Sequence, residues 1–462
     1  MEAIITIDIG TSAVKVALWE AVGDLIDTRV AEYALDAVDG RIEVEPQVYL
    51  DAIAAAVRDL VAAHPAWPIR AICCTTQGET LILLDEEGRP CAPAIVWLDD
   101  RAELEARQLQ RELGRERVHA VTGLPGFDGT LPLAKLMHLR THEAERWSRT
   151  RSVVLVEDFI VHSLTGRLTA GRSVHCSTGW FDIAADELWE DALAAAGLDA
   201  SLFGERVSPG ETIGAVTADA ADRLGLTPGI PVIAGAMDQV CVALAAGVVE
   251  PGIGSHTAGT ALVVASAIAD PSRAIGTDVT VYRHAVPGMS LALGFRPTAG
   301  IAVTWLREIL ALGAGDAGYA AFDALAAQSE PGCGGVRFRP VLSGPGGGWD
   351  GITLSTTRAQ LARSVYEALA GEVTGLLAGL DAVGAPIRTL RVSGGGAQSE
   401  VWLGITADLT DRPLERLAVP HAASTGAAII AAWGLGLLPR GSAPRPAISA
   451  ELAPATTIED RR

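Results

Sequence analysis

The sequence predicts an α/β protein built from two domains of related topology. Three observations carry this. The chain is 462 residues long and 49% hydrophobic, too long for one compact core and apolar enough to bury two. It opens on three strand-like runs, a helix and a further strand. Residues 252–266 then echo the opening run and turn, a weak internal repeat that marks a second domain from about residue 245.

Runs 3–9, 13–20 and roughly 25–35 read as a meander. The first two are joined at Gly10-Thr11-Ser12, a tight hairpin turn. Residues 47–64, after Pro46, place Val48, Ile53, Val57, Leu60 and Val61 at helical spacing, and 69–75 reads as a strand. A meander, a helix and a strand form the opening of a ribonuclease-H-like domain, not the βαβ opening of a dinucleotide fold. The stretch 100–225 reads as mostly helical and rich in Arg and Glu. A strand at 229–234 leads to Asp238, and 239–249 is an apolar helix. The second half predicts helices at 298–312, 316–328, 357–382, 398–409 and 422–434, and a strand at 387–393. The tail from Pro439 is rich in Pro, Ala and Arg and is expected to drape over the surface. Domains are accordingly placed at 1–244 and 245–440, with a tail at 441–462.

The formal net charge of −20 argues against a nucleic-acid partner, which needs a basic face. It leaves room for a single nucleotide, because a few N–H groups and a metal suffice for one triphosphate. Lys15 and Lys135 are the only lysines. The six cysteines show no C-x-x-C spacing and read as buried thiols of a reducing compartment. No charged leader precedes the first strand, and no apolar run reaches 18 residues. A cytoplasmic enzyme without a membrane partner is the expectation. The oligomeric state stays open, with a homodimer as one option.

Five polar or glycine-rich spots follow β-prone runs, where sites assemble in open α/β sheets. Asp8 at the first turn can serve a hydrated Mg²⁺, while N–H and hydroxyl groups of the turn take phosphate oxygens. Gln77-Gly78-Glu79 and Asp238-Gln239 end two further strands. Gly254–Thr260 forms a second phosphate turn, and Ser393-Gly-Gly-Gly396 precedes a helix. Asp238 is the candidate general base for phosphoryl transfer to a hydroxyl. Each spot also has a plain structural reading: an ordinary hairpin turn at Asp8, a helix N-cap at Asp238, a flexible connection at the triple glycine.

Taken in order, these segments resemble the FGGY family of carbohydrate kinases. DIGTSAVK resembles its first phosphate segment, and TTQGETLILLDEEGRPCAPAIVWLDDRA its sugar segment, ending on Trp97, Asp99 and Arg101. TGLPGF with LAKLMHLRTHEAE, EDFIVHSLTGRL and STGWFDI follow in family order. AGAMDQVCVALAAGVV, SHTAGTALVV and SGGGAQSEVWLGITADLTDRPLE resemble the catalytic-aspartate, second phosphate and adenosine segments. Together they span nearly all of residues 3–435.

The resemblance implies two actin-like domains with an ATP and sugar cleft between them. It implies ATP and Mg²⁺ as cofactors, with Asp8 serving the metal and Thr11, Ser12 and Lys15 near the phosphates. Gly259 and Thr260 approach the phosphates from the second domain, and Gly395, Gly396 and Ser399 flank adenosine. Asp238 is the base, and Gln77, Gly78, Glu79, Trp97, Asp238 and Gln239 line the sugar site. Lys15 also reads as a solvated hairpin residue, Trp97 as a packed ring, and Arg101 as half of a structural ion pair.

The implied reaction is phosphorylation of a neutral sugar or polyol, most like the xylulokinase branch. Xylulokinases usually carry Met-His where this chain has Gly78-Glu79, and Asp-Asn where it has Asp238-Gln239; glycerol kinases carry Arg-Glu and Asp-Gln. Glycine at 78 is expected to open space for a substrate longer than glycerol. Glu79 accepts hydrogen bonds from hydroxyls and repels an anion such as gluconate. The family's usual G-E-R-x-P stretch is replaced by Gly344-Pro-Gly-Gly-Gly348, which reads as flexible. Rival classes are an actin-fold ATPase of chaperone type and a catalytically silent sugar-binding protein. The first needs no Gln77/Glu79/Trp97 pocket, and the second would not retain Asp8 and Asp238.

Overall fold

The computed structural model describes residues 2–38, 40–259, 261–341, 346–419 and 421–455. They form two compact units. One comprises Met1–Ala245, Pro271–Leu291 and Ala423–Ala443, and the other Ala246–Asp270, Ala292–Ala422 and Pro444–Arg462.

The first unit is organised by a six-stranded sheet. Its order is Thr212–Ala215, Pro231–Met237, Ile69–Thr76, Ala3–Ile9, Ala13–Glu20, Leu25–Glu32. Ala3–Ile9 is buried along its whole length, which is why it reads as an unbroken apolar run and not as an alternating one. It pairs antiparallel with Ala13–Glu20 and parallel with Ile69–Thr76, and Pro231–Met237 continues the parallel set. Helix Gln47–Ala63 buries Tyr49, Ile53, Val57 and Leu60 in the same core. Gly235 has no alternative residue: a Cβ there would lie 1.6 Å from the Cys74 carbonyl oxygen. Its N–H donates to Glu157 Oε1 at 2.9 Å, and burial pushes that carboxyl up to about 8. The return of residues 423–443 to this unit is tied by Thr6 Oγ1 and Ser424 Oγ, 2.5 Å apart.

A second, five-stranded sheet has the order Asp36–Val38, Arg41–Val44, Ala94–Ile95, Leu81–Leu84, Ser152–Leu155. Beside it the Arg101 guanidinium clamps Asp99 through bonds of 2.8 and 2.7 Å. Arg101 also reaches Glu43 at 2.8 Å and Glu143 at 3.3 Å, while Arg146 binds the same two glutamates. The structure therefore spends Arg101 on a buried ion network.

The second unit repeats the first sheet's plan. Gly252–Ala258 pairs antiparallel with Leu262–Ile268 and parallel with Ile387–Ser393, and Leu414–Leu417 continues the parallel set. The weak echo at 252–266 is thus a repeat of topology. Helix Arg358–Ala382 starts on a capping box between Thr357 and Gln360. The tail does not simply drape over the surface, because Ile448–Leu452 adds an antiparallel edge strand beside Leu414–Leu417. Of the Gly344–Gly348 loop, Gly344 and Pro345 lie outside the described residues, and Gly348 begins a strand paired with Arg337–Arg339. Among the described residues, no helix is long and apolar enough to cross a membrane.

Candidate active site

The first sheet brings three sequence-predicted carboxyl and amide groups to one end. Asp8 lies in register with Thr75, and Thr75 with Ala236. Thr75 Oγ1 donates to the Ala236 carbonyl at 2.9 Å, and the Gln77 N–H to the Ile9 carbonyl at 2.9 Å. Asp8, Gln77 and Asp238 therefore leave the sheet together, at the carboxyl ends of adjacent parallel strands.

The hairpin turn is closed by the Gly10 N–H donating to the Ala13 carbonyl at 3.0 Å and braced by the Tyr33 hydroxyl on the Gly10 carbonyl. Thr11 and Ser12 sit at its tip. Thr11 Oγ1 accepts from the Trp97 indole N–H at 3.0 Å, which ties Trp97 to the first hairpin turn. Lys15 Nζ stands 3.6 Å from Asp8 Oδ2.

The electrostatics of this strand end fit a cation. Burial raises the Asp8 carboxyl above the usual carboxylate range, with Lys15 opposing. Burial, and then the charge of Asp8, push Asp238 up to about 7. Two buried carboxyls, one of them raised further by the charge of the other, are a donor set a divalent ion relieves. Asp238 opens helix Asp238–Ala245, and its Oδ1 accepts from the Gln239 N–H at 2.6 Å.

The sugar-segment residues divide into distinct roles. Gln77 is buried, and neither its amide oxygen nor its nitrogen has a protein hydrogen-bond partner among the described residues. A buried amide in that state has both donor and acceptor capacity left for a ligand's hydroxyls. Gly78 does not open space as expected. A Cβ there would meet Ser177 Oγ at 2.8 Å and Met237 Sδ at 3.1 Å, so the glycine lets the strand end carrying Met237 and Asp238 pack closely. Glu79 holds a left-handed backbone, φ 69°, a strained conformation for a non-glycine residue and one that gathers at functional sites.

Three further residues belong to this neighbourhood and were not singled out from sequence. Lys135 is fully buried and donates to the Val96 carbonyl at 2.9 Å. Burial drives Lys135 toward its neutral amine and Glu79 toward its neutral acid, and each opposes that drift in the other. Asp128 adds negative charge beside both. Tyr282 lies buried near Glu79 and Asp238, and burial and those charges hold its hydroxyl protonated. Only Lys135 carried a signal: one of two lysines, set inside the apolar run Leu133–Met137.

In the second unit the Gly259 N–H closes its hairpin on the Ala261 carbonyl at 3.2 Å, and the Gly259 carbonyl accepts from Gly300 at 3.0 Å. Thr260 lies outside the described residues. The triple glycine follows the neighbouring strand, where Thr257 and Ser393 are in register. Gly394 has φ 91°, and a Cβ on it would lie 2.7 Å from the Ala258 carbonyl oxygen. Gly396 packs on Ala258 as well, whereas a Cβ on Gly395 would meet nothing within 4 Å, the open ground a flat base requires. Ser399 caps helix Glu400–Thr410, accepting from the Trp402 N–H at 3.0 Å and donating to Asp323 Oδ1 at 2.7 Å. Ser399→Ala is expected to cost about 1 kcal/mol of stability in thermal denaturation; an accompanying loss of nucleotide affinity would place Ser399 against adenosine as well.

Residues 3–245 match the N-terminal domain of the FGGY family of carbohydrate kinases, and residues 255–435 its C-terminal domain. A xylulose kinase of Staphylococcus epidermidis is 28% identical over 447 residues, covering 94% of this chain and 88% of the relative. A xylulose kinase of Streptomyces rubiginosus is 30% identical over 461 residues, with 94% and 88% covered. The crystal structure of xylulose kinase from Rhodospirillum rubrum superimposes with a TM-score of 0.87 at 31% identity, over 98% of this chain and 94% of that one. With both domains matched in order and relatives aligned nearly end to end, this chain belongs to the FGGY family of carbohydrate kinases.

Proposed function

We propose that this carbohydrate kinase transfers the terminal phosphoryl group of ATP to a hydroxyl of a neutral sugar, a ketopentose such as xylulose being favoured. The observation that carries the reading is the meeting of Asp8, the unpartnered Gln77 amide and Asp238 at one end of the first sheet. Asp238, with its carboxyl near 7, is suited to accept the proton of the acceptor hydroxyl as that oxygen takes up the phosphoryl group. Asp8, assisted by Lys15, is the residue for Mg²⁺, and the metal when bound neutralises phosphate charge. Thr11, Ser12 and Lys15, with Gly259 and Thr260, are assigned to the phosphates, and Gly395, Gly396 and Ser399 to adenosine. Gln77, Glu79, Trp97 and Gln239 are assigned to the sugar, with Gly78 seating the strand that carries the base.

The choice of a neutral substrate rests on Glu79. Its carboxyl offers acceptors to hydroxyls. Although burial raises it to about 8 with Lys135 opposing, its ionised fraction repels an acid, increasingly so as pH rises toward and past that value. The resemblance to xylulose kinases points the same way. The test is ATP consumption, coupled to NADH oxidation, against D-xylulose, D-ribulose, glycerol, a pentitol and D-gluconate. Xylulose is expected to show the highest kcat/KM, and gluconate less than about a tenth of it. A preference for gluconate overturns the argument from Glu79. ATP consumption indifferent to every sugar overturns the kinase reading in favour of an ATPase.

A further inference from the structure

Away from the strand-end site, three metal-ligating side chains converge on the helices Glu103–Leu113 and Pro132–His142. His138 and His142 lie one helical turn apart, at i and i+4, and so share a face. Glu105 Oε1 is 2.9 Å from His142 Nε2 and 3.3 Å from His138 Nδ1. One ligand atom from each of the three falls within 4.8 Å of the others. Ligand atoms around a tetrahedral ion with bonds of about 2.0–2.1 Å stand roughly 3.4 Å apart, so only small side-chain adjustments separate this cluster from a closed site.

The hydrogen-bonding of the cluster is incomplete without an ion. Glu105 is buried, at 6% exposure. Among the described residues, its ion-pair partners are these two imidazoles and no Arg or Lys. Both rings turn a nitrogen to the same carboxylate oxygen, yet His138 Nδ1 makes no hydrogen bond with it, and the buried Oε2 of Glu105 has no partner at all. A buried carboxylate oxygen without a donor is costly to leave so. An ion between the three groups would accept lone pairs from both rings and from the carboxylate at once.

We propose that Glu105, His138 and His142 form a binding site for a divalent transition-metal ion of the zinc class. Two imidazole nitrogens and one carboxylate oxygen suit zinc and its borderline neighbours, whereas Mg²⁺ and Ca²⁺ favour all-oxygen shells. His142, half exposed, gives the ion its entry path and leaves a fourth position to water or an outside ligand. The ion ties the two helices together, and one of them carries Lys135 three residues before His138. The site is separate from Asp8 and Asp238 and does not depend on the substrate assigned above.

The test uses the full chain stripped with a chelator and titrated with ZnCl₂ by calorimetry in excess Mg²⁺, which saturates oxygen-only sites. One equivalent of Zn²⁺ is expected to bind, and Tm to rise with Zn²⁺ and fall back on chelation. Co²⁺ in its place is expected to give the visible absorption of a low-coordinate site. His142→Gln and Glu105→Gln are each expected to weaken zinc at least about tenfold and to abolish the Co²⁺ spectrum. His142→Gln should keep the zinc-free Tm of the parent, which separates lost ligation from lost folding. Wild-type zinc affinity in His142→Gln, or no zinc-dependent heat in the parent chain, overturns the proposal.

Discussion

Asp238→Asn is expected to lower turnover by about 10²–10⁴-fold while nucleotide affinity stays close to that of the parent enzyme. The substitution keeps shape and hydrogen-bonding reach and removes only the capacity to accept a proton. Two pH signatures distinguish a lost base from a generally damaged site. Burial and Asp8 push the Asp238 carboxyl up to about 7, and the carboxylate is the active form. kcat/KM for the sugar in the parent should therefore fall about tenfold per pH unit below that value, and this limb should vanish from the residual rate of the variant. Stability should move the other way. A carboxyl whose folded-state pKa is raised favours the folded state when protonated, below its unfolded value of 3.8, and this advantage is lost as pH rises through about 7. Asn escapes the loss, so the ligand-free variant should gain on the order of 1–3 kcal/mol over the parent at pH 8 and almost nothing at pH 4. Thermal melts across that range read the difference directly. A variant that retains more than about a tenth of parental turnover removes Asp238 as the base.

That stability cost is the mark of a site placed against the interests of the fold, and it explains which parts of the molecule were legible from sequence. The first sheet was legible because its strands are long, apolar and followed by sharp changes of character. Ala3–Ile9 ends at the hairpin turn, Ile69–Thr76 ends at Gln77, and Pro231–Met237 ends at Asp238. Strand ends announce themselves, and in this topology strand ends are where the site lies. The five-stranded sheet was not legible. Its strands are two to four residues long, too short for a period to show, and Leu81–Leu84 finds Ser152–Leu155 only through tertiary contact.

Charged residues hid for a related reason. Nothing local states that Arg101 will be spent on Glu43 and Glu143, or that the Glu157 carboxyl will sit under Gly235. Gly78 shows the opposite error: an absent side chain reads as room in the sequence, but in the fold that room is already filled by Ser177 and Met237. Tyr282 and the returning segment 423–443 join the first unit through contacts from far along the chain, such as Thr6 with Ser424, which no window of sequence contains.

Lys135→Ala is expected to destabilise the protein by about 2–5 kcal/mol, because it removes a fully buried stem, leaves a cavity and strips the Val96 carbonyl of its donor. Lys135→Met separates packing from charge. Methionine fills nearly the same volume in a helix segment already lined by Leu133, Ala134 and Leu136, so most of the stability should return. The charge does not return. Burial already raises the Glu79 carboxyl to about 8, and without Lys135 to oppose it the carboxyl moves further up and stays protonated at pH values where the parent's is ionised. Above pH 8 the parent therefore offers sugar hydroxyls charge-assisted hydrogen bonds where the variant offers neutral ones, a difference of about 1–1.5 kcal/mol, or roughly tenfold in kcat/KM for the sugar. The loss should be small at pH 7, where the Glu79 carboxyl is largely protonated in parent and variant alike, and grow as pH rises through about 8, while the KM for ATP should hardly change. If Lys135→Met keeps the parent's kcat/KM for the sugar above pH 8, Lys135 is only a packed stem hydrogen-bonded to Val96, and Glu79 recognises sugar without its help.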